Sequence, residues 1–325
     1  MPTQISPAAS AVPVALACPL CGRAECDVEA SIGHDELQAV WGHYEVKFSA
    51  RAWDVPGLGA RVERLACREC GFEFFDPARA GNEAFYEELH NQLPGYYPRD
   101  CVSFQRAVRF AVRHGLKSVL DVGCGCGDFL DRAREAGLRT TGLELNSKAA
   151  AVAGAKGHQV SASTLSELAR SGGARQFDLV TAFEVLEHVP DPVGFITDSA
   201  ALLADGGFVA VTLPQRGGVH DLCPMEPHNW PPHHLTHWRR ADLRRLAARC
   251  GLELAEAGGS LLEGRDMEKF LALRNDLATR IGHAGGTWPM GLVRAATFAY
   301  RKLGLKYLAP RRGLGMFAFF RQPAR

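Results

Sequence analysis

Val119-Leu-Asp-Val-Gly-Cys-Gly-Cys-Gly-Asp-Phe-Leu130 is the stretch whose reading decides the fold. Ser118 to Val122 is an apolar run with one acid, the pattern of a strand covered on both faces. Gly123, Gly125 and Gly127 let the backbone turn sharply and approach a ligand with no β-carbon in the way. A helix from about Asp128 to Ala136 follows and ends near Gly137. Strand, turn and helix together place a ligand at the carboxyl end of the strand. Dinucleotide-binding oxidoreductases use a glycine turn too, but Gly-Cys-Gly-Cys-Gly lacks their Gly-x-Gly-x-x-Gly spacing.

Working outward, Arg139-Thr-Thr-Gly-Leu-Glu144 reads as a second strand that ends in an acid. An acid there can accept two hydrogen bonds from ribose hydroxyls. Gln176-Phe-Asp-Leu-Val-Thr-Ala-Phe-Glu-Val-Leu-Glu-His188 reads as the fourth-strand block, and Gly207 to Pro214 as a fifth strand. Phe104 to His114 is patterned as an amphipathic helix, and Asp242 to Cys250 as another with Leu243, Leu246 and Ala247 inward. Gly251 to Ala257 is the sixth strand and Gly313 to Gln322 the last.

These blocks, in this order and spacing, resemble the class I S-adenosylmethionine-dependent methyltransferases, well over residues 103–212 and loosely beyond. The resemblance implies an α/β fold: a Rossmann-like seven-stranded sheet with helices on both faces. Its last strand would insert antiparallel between strands five and six. The resemblance further implies a cofactor site at Asp121, Gly123, Cys124, Gly125 and Gly127, with Asp121, Gly123 and Gly125 near the methionine end. Glu144 falls at the ribose, with Leu145 beside it. Ser163 and Thr164 fall near the adenine, and Phe183 and Glu184 complete the set. Many members carry an acid at the adenine; Ser161-Ala-Ser-Thr-Leu-Ser has none.

The chain has 325 residues, ten cysteines, 46% hydrophobic content and a net charge of +1. That length suits one large domain plus a small one. So small a net charge gives no long-range field favouring nucleic acid or an anionic membrane. No apolar run approaches a membrane span. Residues 1–15 are Ala-, Pro- and Ser-rich and uncharged; without a positive n-region they read as a disordered tail, and the protein as cytoplasmic.

Four cysteines form two knuckles, Cys18-Pro-Leu-Cys21-Gly and Cys67-Arg-Glu-Cys70-Gly. Each puts two sulfurs on one side of a tight turn, and two such turns make the tetrahedral sulfur site that zinc prefers. The alternative is two unrelated reduced pairs. Tyr44 to Phe48 and Ala60 to Leu65 are strand-like and would bring the knuckles together; Phe72 to Pro77 would close the ribbon. Cys26, His34 and His43 are spare ligand candidates. The expected organisation is a tail at 1–15, a zinc-ribbon module at 16–80, an aromatic linker or lid at 81–102 and a methyltransferase domain at 103–325. A helical insertion of unassigned role occupies about 262–308. Its Trp288, Met290, Leu292, Val293 and Phe298 read first as a plain covering layer, with a cap on the acceptor site or a dimer face as the alternatives. Cys223 reads as incidental.

Methyl transfer from a sulfonium needs an oriented acceptor and a way to remove its proton. His188 follows strand four, and Asn229-Trp-Pro-Pro-His-His-Leu-Thr-His237 carries His233, His234 and His237 on a loop after strand five. A histidine suits the role of base, and the loop histidines are the better placed. A second scheme joins Glu184, Glu187, His188 and His234 as ligands of a divalent ion that lowers an acceptor hydroxyl's pKa. That set resembles the metal-assisted small-RNA 3′-end 2′-O-methyltransferases and is similar to the ubiquinone-pathway O-methyltransferases. The expected acceptor is a small molecule or a saccharide-containing intermediate, with O-methylation favoured. RNA is the alternative acceptor, but Arg51, Arg61, Arg64 and Arg68 interleave with Glu45, Glu63, Glu69 and Glu73, which does not favour a nucleic-acid surface. A non-catalytic partner that binds the cofactor would also keep the glycine turn and Glu144.

Overall fold

The computed structural model describes residues 16–93, 96, 101–171, 176–216, 226–259 and 315–323. The expected tail, the insertion at about 262–308 with its aromatic residues, and Cys223 lie outside them, as does the side chain of His43.

The ribbon begins with the knuckle at Cys18 and continues into β1 (Cys26–Gly33), which pairs antiparallel with β2 (Arg61–Cys67). Between them run α1 (His34–His43) and the single turn α2 (Ala50–Trp53). Tyr44 to Phe48 is therefore not a strand. The acids Asp35 and Glu36 favour a helix start after Gly33, and Glu45 takes a left-handed turn at φ 60°, which breaks any extended run. The partner strand is Cys26–Gly33, whose Ala30 and Ile32 face the core. β3 (Glu73–Phe74) adds to β2, and α3 (Glu83–Gln92) follows, capped by the Asn82 side chain on the Phe85 amide.

In the remainder, α4 (Val102–Arg113) leads into β4 (Ser118–Val122), α5 (Asp128–Glu135), β5 (Arg139–Leu143), α6 (Ser147–Ala155) and β6 (Gln159–Ser161). Then come α7 (Leu165–Arg170), β7 (Phe177–Phe183), α8 (Pro192–Ala201), β8 (Leu203–Pro214), β9 (Thr236–His237), α9 (Arg240–Arg249), β10 (Glu253–Gly259) and β11 (Gly315–Arg321). Among the described residues the large sheet has seven strands in the order β10-β11-β8-β7-β4-β5-β6. β4 to β8 are mutually parallel, and β11 lies antiparallel between β8 and β10, as expected.

Alternation along the strands splits the core in two. Val119, Leu179, Ala210 and Phe319 face α4 and α5, where Phe104, Phe110 and Phe129 pack. Leu120, Val180, Val209 and Phe320 face the other way, toward Ile196 of α8 and Leu243 and Leu246 of α9. That second cluster also takes in Cys18, Leu20, Cys67, Phe72 and Trp238, so the cysteine knuckles share a core with the sheet. β9 strengthens the union. It follows β8 in the chain, yet it pairs with β3 and completes the ribbon's four-stranded sheet. A histidine loop is thereby strung between the two sheets.

Candidate active site

A cavity of about 1450 Å³ opens at the carboxyl ends of β4, β5, β7 and β8. The first wall is the glycine turn. Gly123 has φ +73°, and a β-carbon there would come within 2.9 Å of the Val185 side chain. Gly127 has φ +79° and starts α5, whose first turn carries Asp128 and Asp131. Glu144 is buried beside the turn. Its Oε2 accepts from the Gly125 amide at 2.8 Å and its Oε1 from the Asn146 amide at 2.7 Å. Burial pushes its carboxyl up despite those bonds. Asp121 is buried as well and takes a 2.7 Å hydrogen bond from the Thr181 hydroxyl; burial pushes it up to about 8.

Asp121, Gly123, Cys124, Gly125, Glu144, Leu145, Ser163, Thr164, Phe183 and Glu184 all line this cavity, and Gly127 supports it from behind. Cys124 is buried with its thiol pushed far up, which keeps it inert as a nucleophile. Thr164 caps α7 in a reciprocal pair with Glu167, so Glu167 is spent there. The Ser161–Ser166 stretch has no acid, but Asp198 of α8 lines the cavity beside it and accepts from the Ser166 hydroxyl. No spacing rule joins residues 166 and 198; the packing of α7 on α8 does.

The second wall holds the histidines. Glu184 sits at φ 53°, a conformation that side-chain-bearing residues rarely adopt, and it turns its carboxyl into the cavity. By surface area Glu184 is exposed, but dense protein surrounds the cavity, and this enclosure pushes the carboxyl up to about 7. Glu187 is 1% exposed, and neither carboxyl oxygen finds a hydrogen-bond donor among the described residues. Burial and the neighbouring Glu184 hold it far above the usual carboxylate range. Its Oε1 lies 3.8 Å from His188 Nε2 and 4.0 Å from His234 Nε2.

His188, His233 and His234 bring one ring nitrogen each within 4.8 Å of one another. Burial lowers His188 to about 4 and the other two well below the ordinary value, so all three are neutral. His188 Nδ1 donates to the His233 carbonyl at 2.6 Å, which leaves the lone pair on Nε2. Both nitrogens of His233 are engaged, Nδ1 with the His228 carbonyl at 3.1 Å and Nε2 with the Tyr96 hydroxyl at 3.2 Å. His237 turns away, bonding the Asn229 carbonyl from β9. Sequence reasoning missed Glu226 and His228, and named Tyr86 and Tyr96 only as part of a segment. Tyr86 and Tyr96 stand in the stretch read as an aromatic lid, and both line the cavity.

The four knuckle cysteines form a separate cluster. Cys18 and Cys70 sulfurs are 3.7 Å apart, and Cys21 and Cys67 sulfurs 3.5 Å. The edge of a tetrahedral zinc–thiolate site is about 3.8 Å, from a Zn–S bond of about 2.3 Å. Burial pushes Cys18 far up and Cys70 up to about 12; Cys67 is also raised by burial but falls below its ordinary value through the Cys70 and Glu69 amides and Cys21. Of the spare candidates, Cys26 bonds the Leu16 carbonyl and His34 pairs with Gln38.

Residues 89–257 match a family described as a methyltransferase domain. The ubiquinone biosynthesis O-methyltransferase of Aromatoleum aromaticum is 33% identical over 179 residues, 49% of this chain and 73% of that protein. The protein of the same name from Nitrosospira multiformis is 32% identical over 160 residues, 44% and 65% respectively. Among solved structures, a SAM-dependent methyltransferase from Archaeoglobus fulgidus aligns at 16% identity and TM-score 0.45, over 67% of this chain and 94% of that one. Among the described residues no helix is long and apolar enough to cross a membrane.

Proposed function

The chain belongs to the methyltransferase-domain family of S-adenosylmethionine-dependent enzymes, and we propose that it methylates a hydroxyl of a small-molecule acceptor. One observation carries the proposal: the glycine turn with Glu144 and the Glu187–His188–His234 group share a single cavity. The relatives' name, O-methyltransferase, supports the same reaction.

In this reading Glu144 receives the ribose hydroxyls on the lone pairs its two backbone bonds leave over. Asp121 and the amides of the glycine turn flank the methionine end, Leu145 packs on the nucleoside and Asp198 takes the adenine amino group. The acceptor enters beside Tyr86, Tyr96 and Phe317. Methyl transfer is an in-line displacement, so these residues act by orientation and by excluding water.

The second wall fits a divalent ion. Glu187 is a buried carboxyl that finds no hydrogen-bond donor among the described residues, and His188 Nε2 and His234 Nε2 lie 3.8 and 4.0 Å from its Oε1. With Glu184 they make a two-carboxylate, two-imidazole ligand set. A bound ion would supply Lewis acidity that lowers the pKa of a hydroxyl next to it. His233, with both nitrogens engaged, holds Tyr96 and the loop instead. The cysteine cluster fits structural zinc. We assign the enzyme to the cytoplasm, whose reducing conditions suit its free cysteines.

The test is transfer of a labelled methyl group, with magnesium or manganese present, to a panel of phenols, catechols, aliphatic alcohols and sugars. A methyl ether product is the expected result. Methylation of amines, thiols or RNA while every hydroxyl compound is refused would overturn it.

A further inference from the structure

A third polar group faces the same cavity and belongs to neither wall. His228 sits on a helical turn at Pro227–Asn229, lines the cavity and keeps 26% of its side chain accessible. Its Nδ1 lies 2.5 Å from Oε1 of Glu226, a residue 5% exposed. The other carboxyl oxygen, Oε2, accepts from the Tyr44 hydroxyl at 2.6 Å. Tyr44 comes from the ribbon, 182 residues away in the chain. Trp41 packs edge-on against the imidazole at 4.9 Å, and His233 does so at the same distance, with the Trp41 and His233 rings themselves 6.2 Å apart. The ring is thus fixed in plane and in tautomer: a carboxylate can only accept, so Nδ1 carries the proton and Nε2 carries the lone pair.

This is the arrangement of an imidazole prepared to take a proton. A buried carboxylate orients it and would stabilise the imidazolium, and a hydroxyl orients the carboxylate in turn. A merely structural histidine needs no buried acid behind it, and burying that acid costs free energy unless it is hydrogen-bonded, as it is here twice.

We propose that His228 is the general base of the methyl transfer, with Glu226 and Tyr44 as its positioning residues. The inference rests on the hydroxyl-methylation reading above. In the step, the acceptor oxygen bonds to the sulfonium methyl carbon as the carbon–sulfur bond breaks. The electron pair of that bond stays on sulfur, giving the neutral thioether product. The acceptor's O–H proton passes to His228 Nε2 and leaves to water after product release. The titratable groups that face His228 are Glu226 and Tyr44 at one edge and His233 across its face, with His188 and His234 beyond.

The experiment compares wild type, His228→Ala and Glu226→Gln on the best hydroxyl acceptor of the panel, at several pH values and with added imidazole. S-adenosylhomocysteine affinity is measured in each to confirm that the cavity is intact. In His228→Ala, kcat should fall about 10²–10⁴-fold with KM little changed. Free imidazole should restore part of it, and so should raised pH, where the acceptor ionises by itself. Glu226→Gln should lose kcat less and gain nothing from imidazole, and its loss should vanish in the His228→Ala background. Full activity in His228→Ala, or a loss that neither imidazole nor pH relieves while cofactor affinity is normal, would overturn the assignment. If His228→Ala fails to bind the homocysteine product, Glu226→Gln decides: an unchanged kcat and pH profile there overturns it. A wild type that methylates no hydroxyl sinks the parent reading instead, and the two failures stay distinct.

Discussion

The cysteine cluster and the histidine cluster are both groups of metal-ligating side chains, and they differ in almost everything else. The cysteines come from two local turns, each complete within four residues, and share a packed core with Leu20, Phe72 and Trp238. Nothing in that group faces the large cavity. The histidines and Glu187 come from two segments, His188 and His233 being 45 residues apart, line the cavity and include a carboxyl with no donor among the described residues. A closed ligand set holds structure, whereas an open one with unsatisfied groups is placed for chemistry. The difference teaches that ligand type alone does not tell the two roles apart; access does.

The sharpest way to break the comparison is to remove one ligand from each. Cys67→Ser should release zinc and loosen the whole ribbon, because apparent zinc binding of roughly 10 kcal/mol or more is folding free energy. Elemental analysis and limited proteolysis check this. Since β9 links the ribbon to the histidine loop, activity should fall with it. Intact zinc content or wild-type protease resistance would dissolve the structural half of the contrast.

Glu187→Ala and His234→Ala come next. Each should lower kcat on the order of 10³-fold, the several kcal/mol expected when an ion that stabilises transition-state charge is lost. The double variant should be no worse than either single one. A mild chelator should stop turnover, with magnesium or manganese restoring it while the knuckle zinc stays bound. Turnover indifferent to chelator would return the catalytic task to the histidines alone.

A smaller effect lies on the cofactor wall. Glu144→Ala should weaken S-adenosylhomocysteine binding by about 1.5–3 kcal/mol, roughly 10- to 150-fold, as ribose hydroxyls and the Gly125 and Asn146 amides lose an acceptor. Calorimetry measures it, and unchanged affinity would remove the ribose assignment. Asp198→Asn should cost less, about tenfold or under, because the amide oxygen can still accept from the adenine amino group and only the charge assistance, about 1 kcal/mol, is lost.

The last effect is on stability. Asp121 is held protonated by burial to about pH 8 in the folded chain but ionises near 3.8 when unfolded. The folded value is raised, so its contribution is full below about pH 4 and is lost as pH rises through about 8. The ligand-free protein should therefore melt at a lower temperature at pH 8 than at pH 5, by about 2–4 °C for each kcal/mol lost. Asp121→Asn should flatten that dependence. A steeper fall in the variant would mean that other groups dominate.

The sequence by itself determined whatever is written in one short segment. The strand–glycine-turn–helix unit, Glu144 after the next strand and the two Cys-x-x-Cys-Gly knuckles are readable because backbone geometry fixes them within a few residues. The sheet, with its last strand antiparallel between β8 and β10, followed from the resemblance that those segments carry. Only the tertiary structure decided the rest. Tyr44 to Phe48 alternates like a strand, but a left-handed Glu45 and a capped α1 overrule the pattern, and Cys26–Gly33 takes its place. Asp198 reaches the cavity through helix packing, and Glu226 acquires its orienting role from Tyr44 of another sheet's connection. Such pairings have no spacing signature. They form because burying a polar group demands a partner, and the partner is whichever residue the fold brings within hydrogen-bond reach.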